Sequence, residues 1–175
     1  WFSDVLVHEF AHVVSLKANT PFGEGTGGIE VGGLYSNGIL NTDAGVSFSL
    51  MDSDPFWWAE GGAEYWSEET GYNWWTAARD HNIRMTFLED RQLTYEEWVT
   101  RIGKSGFDGE RGYQQGYSFA LYLRERFGPQ TFADFAIESG KKWRLNWDDV
   151  VEEVTGVDAE TLYNDWSAYL MERYT

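Results

Sequence analysis

The chain of 175 residues has no cysteine, only three prolines and only three histidines. Without cysteine there is no disulfide, no thiol nucleophile and no zinc-thiolate finger, which leaves His, Asp and Glu as the side chains able to hold a metal. The compartment stays open on this ground, because a cysteine-free chain is stable in either redox environment. Basic residues are also scarce: 13 Lys and Arg stand against 29 Asp and Glu, a formal net charge of −16. Such a surface repels polyanions, so nucleic acids and anionic membrane surfaces are not expected partners. No apolar run is long enough to span a bilayer, and membrane insertion is not expected.

Aromatic residues are plentiful, with 10 Trp, 10 Tyr and 11 Phe. That supply argues for one well-packed domain over residues 1–175. The chain opens on Trp1 rather than Met. The expectation is a segment trimmed at its N-terminus relative to the full protein, and an extracytoplasmic or secreted setting, with which the acidic surface agrees.

Two of the three histidines fall in His8-Glu9-Phe10-Ala11-His12, an H-E-x-x-H arrangement that chance ordering explains poorly. The surrounding Val5, Leu6, Val7, Phe10, Ala11, Val13, Val14 and Leu16 have the spacing of a buried helix over residues 1–17, with Ser3 or Asp4 as N-cap. On a helix, residues four apart share a face, so His8 and His12 can grip one ion while Glu9 stands beside it as a proton acceptor. Burying Glu9 in an apolar helix would be costly without a positive charge to pair it.

From about residue 20 to 53 glycines punctuate short runs such as Val46-Ser47-Phe48-Ser49-Leu50. A hairpin or long loop is predicted there, with Ser36-Asn37-Gly38 as a turn. A helix then runs from an Asp54-Pro55 start to about Glu69, stopping before Gly71. Its adjacent Gly61 and Gly62 imply close backbone packing, for which the motif helix is the expected partner. Further helices are predicted over 73–92 from Asn73, carrying Trp74, Trp75, Ile83 and Leu88, and from a Thr94 capping box. After a loop over 103–112, others follow over 112–127, 131–139, 146–155 and 158–174. His81 reads as a surface or packing residue.

Two histidines do not complete a catalytic zinc site, which takes three protein ligands. Ser15 and Ala18 stand where a metzincin-type motif would place its Gly and third His, which closes that option. Glu60, with Glu64 one turn on, can supply the ligand from the next helix. Here the sequence resembles the gluzincin metallopeptidases, and within them the peptidases related to the aminopeptidase N family, on Trp57-Trp58-Ala59-Glu60-Gly61-Gly62-Ala63-Glu64-Tyr65. The resemblance implies an α+β, mainly α, thermolysin-like domain with a Gly-rich insertion between its zinc-ligand helices. It implies Glu60 as third zinc ligand and Glu64 as an acid orienting the first His. Tyr113-Gln114-Gln115-Gly116 is similar to the family's Tyr-x-x-Gly, which implies Tyr113 as oxyanion donor, with Tyr117 one turn later as the competitor.

The function expected is a Zn²⁺-dependent metallopeptidase acting on peptide or protein substrates. The G-x-M-E-N strand that grips the substrate amine in the aminopeptidases is missing, which favours internal cleavage. The alternatives are an inactive metal-binding interaction module and a zinc hydrolase of non-peptide amides or esters.

Overall fold

The computed structural model describes residues 2–18, 55–72, 74–99, 107–141 and 147–175. These are mainly helical and contain no strand, and none of their helices is long and apolar enough to cross a membrane. The hairpin expected over 20–53, and the Asp54 cap, lie outside the described residues.

In chain order the elements are α1 (Phe2–Ala18), a π-helical turn (Trp57–Gly61) running into α2 (Gly62–Glu69), then α3 (Ala77–Leu88) and α4 (Tyr95–Val99). They continue with α5 (Phe107–Phe127), α6 (Thr131–Lys141), α7 (Trp147–Thr155) and α8 (Ala159–Tyr174). Most predicted stops are observed for the expected reason. Gly71, Gly128 and Gly156 all have positive φ, which a residue without Cβ adopts freely at a helix C-terminus. The capping box is formed as well: Glu97 N donates to Thr94 Oγ1, and Thr94 N donates to the Glu97 carboxylate at 3.0 Å. Three starts differ. Helix α1 already contains Ser3 and Asp4, so neither caps it; α3 begins at Ala77, capped by Thr76, whose Oγ1 accepts from Arg79 N, not at Asn73; and α5 begins at Phe107, five residues before the predicted start.

The core is organised around the π-helical turn. Trp57 and Trp58 are neighbours in sequence, both buried, with their rings edge-on at 6.1 Å and both against Phe135 and Trp147. Trp57 packs edge-on against Phe119 of α5 and Trp147 of α7, while Trp58 stacks on Phe132 of α6 at 5.5 Å. Aromatic pairs of this kind contribute about 0.5–1.5 kcal/mol each beyond the area they bury. Helix α4, with five residues, is too short to persist alone. Its Trp98 anchors it, stacked on Trp166 of α8 at 5.2 Å and against Phe119.

Of the glycine pair, Gly61 is explained by α5 and not by α1, while Gly62 has ordinary contact room beside Phe132. A Cβ on Gly61 would stand 2.3 Å from the backbone carbonyl carbon of Gly116, so the two chains cross backbone to backbone. Gly112, one turn earlier on α5, makes room for the Phe56 ring in the same way. The apolar positions of α1 also depart from expectation. Among the described side chains of α1 only Ala11 is buried, whereas Phe2 and Phe10 are 72% and 63% exposed and Leu6, Val13 and Val14 are exposed beside them. Trp74 and Leu88 are exposed too.

Candidate metal centre

Helix α1 lies against α2 with His8 and His12 facing it. Trp57, Trp58 and Ala59 are locked into the core and Gly61 into its crossing with α5, so the remaining residue of the π-helical turn, Glu60, is presented to α1. π-Helical turns of this kind recur at functional sites because they rephase the side chains around them.

Three donor atoms meet. The two imidazole Nε2 atoms are 3.2 Å apart, and Glu60 Oε2 lies 3.4 Å from His8 Nε2 and 3.3 Å from His12 Nε2. Among the described residues this is the one His/Asp/Glu group of three arranged to hold a metal. Edges near 3.3 Å are those of a tetrahedron whose centre is ~2.0 Å from each corner, the zinc–nitrogen and zinc–oxygen bond length. The donor set therefore fits zinc in size and in chemistry. Glu60 Oε2 is buried and makes no well-formed hydrogen bond, and a buried acceptor in that condition asks for a positive charge.

The other groups expected at the site are nearby. Glu64 Oε1 faces His8 Nδ1 at 3.6 Å, so Glu60 and Glu64, four residues apart, stand at opposite nitrogens of the same ring. Tyr113 lies close enough to Glu60 for the carboxylate to raise its pKa, and its ring lies 6.0 Å from that of His8. Tyr117 does not join them. It is fully buried, donates its hydroxyl to Glu68 and packs against Trp75. Glu9 is exposed, but its charge is felt by both His8 and Tyr113. Its exposure removes the argument that an ion is needed to compensate a buried Glu9. The case for metal rests instead on the three converging donors. His81 is exposed and lies outside the group.

Compared with family models, curated proteins and solved structures, the chain matches none. The reading of the centre thus stands on its geometry and electrostatics.

Burial alone would raise the Glu60 carboxyl, but the close approach of His12 and His8, the charge of His12 and the neighbouring Tyr113 hydroxyl outweigh it and hold the carboxyl well below the ordinary range. Burial works against charge on His8, yet the Glu60 contact and the charges of Glu64, Glu60 and Glu9 prevail and raise its pKa. The Tyr113 phenol is pushed up by burial and by Glu60, so it remains a proton donor at neutral pH. The pH dependence of the metal-free chain follows. His8, raised above 6.5, contributes fully below that value and loses its contribution as pH rises through its folded pKa. Glu60, lowered below 4.5, contributes above that value and loses it as pH falls through its folded pKa. The contact thus stabilises most between those two ordinary values. In chelator, the melting-temperature difference between the wild-type chain and His8→Gln should be largest near pH 5.5 and shrink as pH rises through the folded pKa of His8. A difference that does not vary with pH would contradict these shifts.

One participant and one local feature were not foreseen. Arg79 of α3 donates from Nη2 to Glu64 Oε2 at 2.8 Å, and nothing in the local sequence marks it as belonging here. The π-helical turn is likewise silent in sequence, though the paired glycines signalled a close approach without naming its partner.

Proposed function

We propose that the chain is a zinc-dependent peptidase of gluzincin type with a thermolysin-like catalytic domain, cleaving peptide bonds internally. The observation that carries this is the convergence of His8, His12 and Glu60 at tetrahedral spacing with Glu9 on the same helix. A purely structural metal has no use for a base beside it, which favours hydrolysis over an inert binding module.

His8 and His12 from α1 and Glu60 from the π-helical turn would hold the ion. Zinc, when bound, supplies Lewis acidity and makes water a better acid. Glu9, solvent-accessible and free of the donor triangle, takes the proton of the attacking water and delivers it to the leaving amine. Tyr113 is poised at the rim with a hydroxyl that stays protonated. Turned from Glu60 to the substrate, it donates to the oxyanion without adding a charge to the site. Glu64 holds His8 from its far nitrogen, the arrangement by which a carboxylate fixes ring orientation.

The test is mass spectrometry of a diverse peptide mixture incubated with the zinc-loaded chain, with Glu9→Gln in parallel. Internal cuts are expected in the first sample and none in the second, and Tyr113→Phe should slow cutting by about 10²–10³ while Tyr117→Phe does not. Peptides left intact by every sample would overturn the peptidase reading. Turnover of esters or non-peptide amides in that case would favour the second hydrolase class.

A further inference from the structure

We propose that Arg79 is a positioning residue for the metal centre: by fixing Glu64, it keeps the His8 ring turned so that Nε2 faces His12 and Glu60. This rests on the zinc-site reading above.

The geometry divides the Glu64 carboxylate between two partners. Oε2 accepts from Arg79 Nη2 at 2.8 Å, and Oε1 is left facing His8 Nδ1 at 3.6 Å. Both side chains are largely withdrawn from water, Arg79 at 19% and Glu64 at 13% exposure. Exposed ion pairs contribute little because solvent and side-chain entropy compete with them. This one differs because the arginine is itself held on several sides. Its backbone N donates to the Thr76 cap, and its guanidinium lies 5.0 Å over the Tyr117 ring, whose hydroxyl is tied to Glu68. The adjacent Asp80 accepts from Trp75 Nε1, Tyr174 Oη and Arg173 Nη2, which pins the first turn of α3 to the end of α8.

A glutamate has three side-chain torsions to immobilise, and a pre-fixed partner lowers that cost. Arginine suits the task because its flat guanidinium stacks on a ring while directing an N–H sideways, whereas a lysine ammonium does neither in a fixed direction. Tyr117, the rejected candidate for the oxyanion, thus acquires a role as the platform beneath Arg79.

Zinc affinity by competition with a chromophoric chelator tests this in five chains: wild type, Arg79→Met, Arg79→Lys, Glu64→Gln and the Arg79→Met/Glu64→Gln double variant. Arg79→Met is expected to weaken zinc binding about tenfold, at the lower end of what outer partners of metal-bound histidines contribute. Because Arg79 acts through Glu64, the double variant should bind no worse than Glu64→Gln alone, a non-additivity that a general loss of structure would not produce. Arg79→Lys should recover only part of the affinity, and its melting temperature in chelator should match the wild type, separating positioning from folding. Unchanged affinity in Arg79→Met, or losses that add in the double variant, would overturn the proposal and leave the zinc site intact. A wild-type chain that binds no zinc would overturn the zinc reading and this inference together.

Discussion

Glu60→Ala should release the zinc: the wild-type chain is expected to retain about one equivalent after dialysis against a weak chelator, and the variant none, with peptide cleavage lost in step. Glu60 Oε2 is the third corner of the donor triangle, 3.3–3.4 Å from both imidazole nitrogens. Taking it away leaves two histidines on one helix, which do not suffice for a three-ligand centre. The affinity loss should exceed the ~10–100-fold carried by residues one shell further out, which sets Glu60→Ala apart from Arg79→Met in the same assay. Glu9→Gln is the matching control. It leaves all three donors in place and should keep its zinc while losing turnover, since the change removes the proton acceptor only. Metal analysis showing full zinc retention in Glu60→Ala would refute the ligand assignment. The wild-type and Glu60→Ala chains should both melt cooperatively in excess chelator, because the core that holds the π-helical turn is built by Trp57 and Trp58 and not by Glu60.

The second large effect concerns two neighbouring glycines with opposite expected outcomes. At Gly61 a methyl group would sit 2.3 Å from a backbone atom of Gly116, and neither chain can yield without moving a helix. Its φ of −65° is open to any residue, so space and not conformation is the obstacle. Gly61→Ala should destabilise by about 3 kcal/mol, the upper part of the overpacking range, and displace Glu60 from the donor triangle. At Gly62 the nearest atom to an added methyl is a Phe132 ring carbon at 3.6 Å, ordinary contact distance. Gly62→Ala in this helical backbone should stabilise by about 0.5–1 kcal/mol through reduced freedom of the unfolded chain. Urea unfolding of the two variants measures both. Equal effects from the two substitutions would mean that the crossing of α5 is looser than described.

Much of the site was legible because its pieces are local. His8, Glu9 and His12 follow from a five-residue motif on a helix, and Glu64 follows from Glu60 by the same four-residue step. Linking Glu60 to the histidines across the intervening residues took the likeness to a known zinc-peptidase pattern. The structure brings those side chains together, while their roles stand as the proposal. The two tyrosines show the limit: Tyr113 and Tyr117 lie on one helix one turn apart, and only the likeness to Tyr-x-x-Gly favoured Tyr113 over its competitor. Only the packing of α5 against the π-helical turn places Tyr113 beside Glu60 and buries Tyr117 over Glu68 and Arg79.

By itself the sequence determined most of the helices, their glycine and capping-box ends, the absence of thiol chemistry and the placing of His8 and His12 on one face of α1. These are consequences of backbone geometry and side-chain chemistry within a few residues of one another. Tertiary structure alone decided that Gly61 meets Gly116 and not α1. It also decided that the apolar side of α1 is left exposed among the described residues, and that Arg79 reaches Glu64 from another helix. Periodicity states which residues share a face, but which face meets which is set by contacts between segments far apart in the chain, where side-chain volume and backbone approach are settled together.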